Sequence, residues 1–332
     1  MTAFRQVLRR VTRSTLSALA VASCAAVVGQ AQAQAYPTKP VKILIPFTPG
    51  GSNDTVGRFL GDELQKKLGQ PFVVENRGGA GGVVGAEVVA KSPADGYTLL
   101  LVSTPHVANP SLYKKMPYDA LKSFTPVARV FSAPVVVAAF PGLGFKTLDE
   151  LVQRARSKPG SLTFVSSGTG SYFHLASEMF TEQAKVKLLH VPYKGAGPAM
   201  ADVVAGHADI SIGSVLSSLP NVQGGRLKAL AVSGPKRQPS MPDVPTMAEA
   251  GYPGYEADNW WGVLAPAGTP PAVVETLTRA IGEILAAPQT AARFSPDGVV
   301  VSYQNPAAFK SFLEDETRKW TDLIKTNGIA AE

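Results

Sequence analysis

Val41-Lys42-Ile43-Leu44-Ile45-Pro46-Phe47 runs straight into Thr48-Pro49-Gly50-Gly51-Ser52-Asn53-Asp54. The first seven residues are an apolar run of strand length, and the next seven are turn and cap residues. Val56, Phe59, Leu60, Leu64 and Leu68 then recur at helical spacing, and Gly69 ends the helix. Strand, glycine loop and helix in that order open a parallel α/β unit. The pattern repeats: strand 71–76, glycine loop 77–82, helix 83–91, and a strand 97–102 that ends in Ser103-Thr104-Pro105-His106. Further on, strands are expected at 162–165, 186–191, 209–212 and 227–232, with helices at 171–184 and 198–205. Such alternation predicts parallel or mixed sheets covered on both faces.

Two segments read as crossovers between domains: 127–130 with 135–138, and 260–266. The helical patterns 270–286 and 306–326 follow the second crossover and are expected to pack back on the first domain. The expected fold class is α/β: two doubly wound domains joined by two crossover strands, with a cleft between them. The expected division is 36–129 plus 264–332 for the first lobe and 130–263 for the second.

The 332 residues are 45% hydrophobic and 17% charged, which supplies a core and excludes a disordered chain. Arg5, Arg9, Arg10 and Arg13 lie in the first 35 residues, which hold no acid. An apolar stretch and the small-residue sites Ala31-Gln32-Ala33 and Ala33-Gln34-Ala35 follow them, so residues 1–35 read as a secretory signal peptide cleaved after Ala35. Its removal lowers the net charge from +7 by four, to +3, which gives no argument for nucleic acid. Cys24 is the one cysteine. Val21-Ala22-Ser23-Cys24 resembles a lipoprotein box, but the apolar 25–28 continues a signal core, so a lipid anchor is the second reading. The expected product is a periplasmic protein without disulfides, zinc–cysteine sites or cysteine catalysis.

Four glycine loops open helices: Pro49-Gly50-Gly51-Ser52, Gly78-Gly79-Ala80-Gly81-Gly82, Gly168-Thr169-Gly170-Ser171 and Gly195-Ala196-Gly197-Pro198. Backbone N–H groups at a helix N-terminus, together with the helix dipole, attract anions without any basic side chain. Each loop could equally be an ordinary βα turn. The surrounding hydroxyls, Thr48, Ser52, Ser103, Thr104, Ser167, Thr169 and Ser171, favour binding for the set. Gly79, Gly81 and Gly85 distantly match the dinucleotide fingerprint but do not follow the first strand. Ser171 lies three residues before His174, with no orienting acid indicated for a hydrolase. An exported dehydrogenase or hydrolase is therefore the competing class. His106, His174, His190 and His207 show no metal-ligand spacing. His174 could cap its loop or donate to an anion. Asp54 is expected to shape the first loop, since it would repel a carboxylate beside it. Lys194 could neutralise an acid at the cleft rim. Trp260 and Trp261 read as core, or as residues that close the cleft.

The chain resembles the Bug-type receptors of the tripartite tricarboxylate transporter family. The resemblance is carried in order by Pro46 to Asp54, Val74 to Gly82, Pro93 to Leu100, Gly168 to Leu175, Val191-Pro192-Tyr193-Lys194-Gly195, Pro242-Asp243-Val244-Pro245-Thr246, Glu249-Ala250-Gly251 and Ala265 to Pro270. It implies a type II, flytrap-like binding protein without catalysis or cofactor. Its ligand would be a small carboxylate: a di- or tricarboxylic, aromatic or related acid. One carboxylate would be held by the loop holding Phe47, Thr48, Gly51, Ser52, Asn53 and Asp54. The other end would be held by the loop holding Ser167, Thr169, Gly170, Ser171 and His174. Ser103, Thr104, His106, Lys194, Gly195, Gly213 and Ser214 would complete the cleft. Family members that bind amino acids often carry an acid after the strand at 209–212; here Gly213-Ser214 follows, which favours plain carboxylates. Implied partners are permease subunits or, alternatively, a sensor protein, with the receptor itself a monomer.

Overall fold

The computed structural model describes residues 36–330; the signal-peptide reading, its cleavage sites and Cys24 lie outside them. In chain order the strands are β1 Val41–Ile45, β2 Phe72–Asn76, β3 Thr98–Ser103, β4 Phe124–Ala133, β5 Val135–Ala139, β6 Thr163–Ser166, β7 Leu189–Pro192, β8 Ile210–Ser214, β9 Lys228–Val232, β10 Asn259–Pro266 and β11 Val300–Gln304. The helices are α1 Ser52–Leu68, α2 Val83–Ala90, α3 Pro105–Leu112, α4 Leu148–Ser157, α5 Tyr172–Ala184, α6 Ala196–Ala205, α7 Val215–Gln223, α8 Pro271–Ala286, α9 Pro288–Phe294 and α10 Pro306–Thr326.

Val41, Ile43, Leu44 and Ile45 of β1 are buried on both faces, as a strand covered by helices on either side must be. β1 runs parallel to both β2 and β3. The sheet then turns antiparallel through β10 and β4, giving the order β11-β4-β10-β3-β1-β2. The second sheet has the order β7-β6-β8-β5-β9; β6 is parallel to β7 and β8, and β5 is antiparallel to both of its neighbours. Both sheets are thus mixed, and the protein is a two-lobed α/β fold.

The chain passes between the sheets twice, and the passages lie side by side. β4 and β10 pair as far as Ala133 opposite Asn259, and β5 and β9 pair from Val136 opposite Val232. Ser233 clasps the gap. Its N–H donates to Val135 O (2.8 Å), while its Oγ accepts from Val135 N (2.8 Å) and donates to Asp258 Oδ1 (2.6 Å). Burial raises the Asp258 pKa above the ordinary aspartate value, against the pull of the Ser233 bond and of Arg129.

α10 returns to the six-stranded sheet, as the apolar pattern at 306–326 predicts, and packs on β4 and α3. It also reaches α5 of the other lobe. Buried Glu316 accepts from the indoles of Trp260 (2.8 Å) and Trp320 (2.9 Å). One continuous core takes in Leu100 and Trp260 of one sheet, Val137 and Phe164 of the other, and Phe309 and Trp320 of α10.

Three features that the sequence reading did not give have local causes. The Ser217-Ser218-Leu219-Pro220 stretch, despite its serines and proline, lies inside α7. Ser214 Oγ caps that helix by accepting from Ser217 N (3.2 Å), and burial of Val215 and Ser218 outweighs Pro220. The strand expected at 186–191 begins only at Leu189: Lys185 is left-handed (φ 51°) and Val186 N still bonds Thr181 O (3.0 Å). β11 pairs with β4 only at intervals and none of its residues is fully buried, so its pattern is weak.

Candidate functional site

The loop from β1 to α1 is braced from below. Buried Asp54 accepts from Gly50 N (3.1 Å) and Arg58 Nε (3.0 Å) at one oxygen, and from Asn76 Nδ2 (2.9 Å) at the other. Asn76 Nδ2 also donates to Phe47 O (3.2 Å), and Arg58 donates to Asn76 Oδ1 (3.1 Å). The Arg58 bond holds the Asp54 carboxyl below its ordinary pKa; burial opposes it, and the Gly50 and Asn76 bonds reinforce it. Asp54 therefore shapes the loop, as charge repulsion suggested. Thr48, Gly50 and Gly51 are exposed, Ser52 and Asn53 half-buried. Trp261 Nε1 donates to Asn53 Oδ1 (2.8 Å), a positioning role beyond core packing.

The loop from β6 to α5 has a neutral brace. Ser171 caps α5, accepting from His174 N (3.4 Å). Gly170 N donates to His174 Nδ1 (3.0 Å), so that nitrogen carries no proton, and Nε2 faces Glu178 Oε1 (3.5 Å). The His174 ring stacks on His190 with centroids 3.9 Å apart. His190 Nε2 lies 2.7 Å from Ser166 Oγ, which also accepts from Gly168 N (3.1 Å). Burial, and secondly His174, push the His190 pKa down to about 4. His174 is thus a loop cap.

Between these loops lies a cavity of about 50 Å³. Ser52, Trp261 and Val299 line it from the six-stranded side, and Tyr172, Phe173 and Ser214 from the other. Its floor is Ala133 to Val135 with Asn259. Past Phe173 a smaller space of about 10 Å³ is lined by Ser167, Gly213 and Ser217 among others. The lobes touch on either side of the cleft. A Cβ at Gly298 would stand 2.7 Å from Val215 Cγ1, and one at Gly170 would stand 3.1 Å from Leu112 Cδ1.

The structure brings together Ser52, Ser167, Gly213 and Ser214, with Asn53 held behind. Buried Thr104 donates to Asn259 Oδ1 (3.1 Å) and so supports the floor. His106 lies deeper: it bonds Ala120 O (2.9 Å), packs against Tyr118 and Phe124, and burial lowers its pKa to about 4. Phe47, Ser103 and His106 share a separate void of about 10 Å³. Thr169 and Lys194 are exposed, Gly195 precedes α6, and none of the three lines either cleft cavity. Tyr172, Phe173, Asn259 and Val299 join the lining without having been singled out. Tyr172 and Phe173 directly follow the predicted loop, which was the available signal; Val299 had none. A larger cavity of about 360 Å³ lies beside Arg129, Asp258, Glu316 and Lys319, and none of the expected site residues lines it.

The glycine spacing at 79–85 has a packing explanation. A Cβ at Gly85 would come within 2.7 Å of Arg77 O and 2.8 Å of Pro46 Cα, so this glycine lets α2 close on the end of β1.

Two lobes, a clasped pair of crossovers and a cavity between helix-opening loops define a solute-binding receptor. Residues 56–329 match the model of the tripartite tricarboxylate transporter family receptor, and the chain belongs to that family. It is 38% identical to BugT of Bordetella pertussis over 306 residues, covering 92% of this chain and 94% of the relative. It is also 38% identical to the UPF0065 protein of the tcbD-tcbE intergenic region of Pseudomonas sp. (strain P51), covering 94% and 93%. A solved R. palustris protein with adipate is similar at 34% identity and TM-score 0.79, covering 89% of this chain and 99% of that one. MatC of Rhodopseudomonas palustris with bound malate is similar at 33% and 0.75, covering 87% and 100%. The family is one of receptors, and the similar solved structures include the periplasmic binding protein BugD, at 35% identity and TM-score 0.76, covering 90% of this chain and 100% of that one.

Proposed function

We propose that this chain is an exported periplasmic receptor that captures a small carboxylate in the cleft and presents it to the permease of a tripartite transporter. Residues 1–35 act as its signal peptide and the mature protein works as a monomer. The lobes part at Pro134 and between Ser233 and Asp258. The observation that carries the reading is the pair of helix-opening loops, each braced from behind, that meet at one cavity through Ser52 on one side and Tyr172 and Phe173 on the other. α1 has no side-chain N-cap, because Gly51 supplies none. Its first-turn N–H groups are therefore offered to an anion. The adipate and malate of the solved relatives support the same class of ligand.

A helix N-terminus contributes about 0.3–1 kcal/mol to an anion, up to about 2 when partly buried. Micromolar affinity needs about 8 kcal/mol. Desolvated hydrogen bonds to Ser52, Ser214 and the Phe47–Asp54 loop, with lobe closure, supply the remainder. Titration calorimetry against a panel of small mono-, di- and tricarboxylates tests this. At least one acid should bind with roughly micromolar affinity, and Ser52→Ala should weaken it about tenfold. Absence of binding by every acid at millimolar concentration would overturn the reading.

A further inference from the structure

The cleft wall says more about the body of the ligand than about its charged end. No described side chain lining either cleft cavity carries a charge. Beyond Ser52 and Ser214 at its two sides, the larger cavity is faced by Ala133, Pro134, Val135, Phe173 and Val299. Ser214 Oγ is itself bonded to Ser217 N and Oγ, and of the other polar lining groups the Asn259 amide N–H groups are the donors left over. Trp261 Nε1 is committed to Asn53, Asn259 Oδ1 to Thr104, and the Tyr172 hydroxyl to Ala257 O. A hydroxyl or ammonium on the middle of a bound acid, where the wall is Ala133, Pro134, Val135, Phe173 and Val299 rather than Asn259, would therefore meet hydrocarbon and lose its water without a replacement partner. The space past Phe173 has Ser166, Ser167, Ser211 and Ser217 among apolar neighbours such as Val165, Met200 and Ile212, so polarity returns only at the far end.

From this we infer that the receptor selects carboxylates whose body carries no hydroxyl or amino substituent, with Phe173 and Val299 as the selecting residues. The inference rests on the carboxylate-receptor reading. An apolar pocket rejects an added hydroxyl only moderately, so the expected discrimination is about 10- to 100-fold. It falls on the body of the ligand and leaves chain length to the space that Phe173 divides.

The test is titration calorimetry on the mature protein with matched pairs: succinate against malate, glutarate against glutamate, and butyrate against 3-hydroxybutyrate. The unsubstituted member should bind about 10- to 100-fold more tightly in any pair that binds. Its binding should carry a negative heat-capacity change from buried apolar surface. Val299→Thr, which keeps the shape and adds a hydroxyl at the wall, should shrink the preference for the unsubstituted member. Equal or tighter binding of malate, glutamate or 3-hydroxybutyrate would overturn the inference and leave the receptor reading standing. Silence of all six acids at millimolar concentration would overturn both.

Discussion

The two glycine loops at the cleft look alike in sequence, yet they are held by opposite chemistry. Charge braces the β1–α1 loop: Asp54 gathers Gly50, Arg58 and Asn76. Neutral imidazoles brace the β6–α5 loop: His174 accepts from Gly170, and His190 stacks behind it against Ser166. An anion site built from backbone donors needs its loop fixed but must keep negative charge away from the ligand. The first lobe achieves this by neutralising its acid with Arg58. The second uses no acid next to the loop, with Glu178 a full helical turn away on the far side of His174.

The largest expected effect comes from breaking the neutral brace. His174→Ala leaves the buried Gly170 N–H without its partner and removes half of the ring stack. It should cost about 3 kcal/mol in urea denaturation and weaken carboxylate binding more than tenfold. Asp54→Ala strips the acceptor from three donors but leaves the partly exposed Arg58 able to reach water. About 2 kcal/mol is expected there, with a comparable loss of affinity, whereas Asp54→Asn should recover part of both because it keeps an acceptor. If Asp54→Ala proved the costlier of the two, the ranking of the braces would be reversed.

Acid sharpens the contrast. His190 has a native pKa of about 4, depressed from its ordinary 6.5, so the unfolded chain binds the proton more readily. Its contribution is complete above pH 6.5 and disappears as the pH falls towards 4. Asp54 is lowered too, but its contribution persists until the pH falls below the ordinary carboxylate range. At pH 5, hydrogen exchange should show lost protection at 168–171 and retained protection at 50–54, relative to pH 7. Equal loss at both loops would sink the distinction. Buried His106, also near 4, adds a global loss of up to about 3 kcal/mol over the same window, so the loops must be compared with one another at each pH. The smallest effect is expected from Thr104→Val. It removes one buried bond to Asn259 beneath both loops and should cost about 1 kcal/mol in thermal or urea melts, with little change in loop protection.

Much of this was legible in the sequence because β1 and its following loop state the architecture directly. An apolar strand buried on both faces, then glycine, then a helix with apolar residues on one face, leaves few alternatives. The loops, the two crossovers and the role of Asp54 could be read from residue type and spacing. His174 as a cap was one of two readings, and only the distance to Gly170 N decides between them. Val299 and Asn259 could not be found in the same way. They reach the cleft because two distant passages of chain lie side by side, a relation no local pattern encodes. Ser171 shows a similar limit. Its hydroxyl reads as a ligand donor, but it caps α5, so its removal would disturb stability as well as binding.

The clasp at Ser233 also bears on how this receptor moves. Because Val135, Ser233 and Asp258 are bonded together, the two connecting strands cannot twist independently. They behave as one leaf spring, with a single direction of easy bending. A pair of fluorophores placed across the cleft mouth should then report two discrete distances with single-exponential exchange. Ser233→Ala should split the spring into two, and the distance distribution should broaden along a second axis.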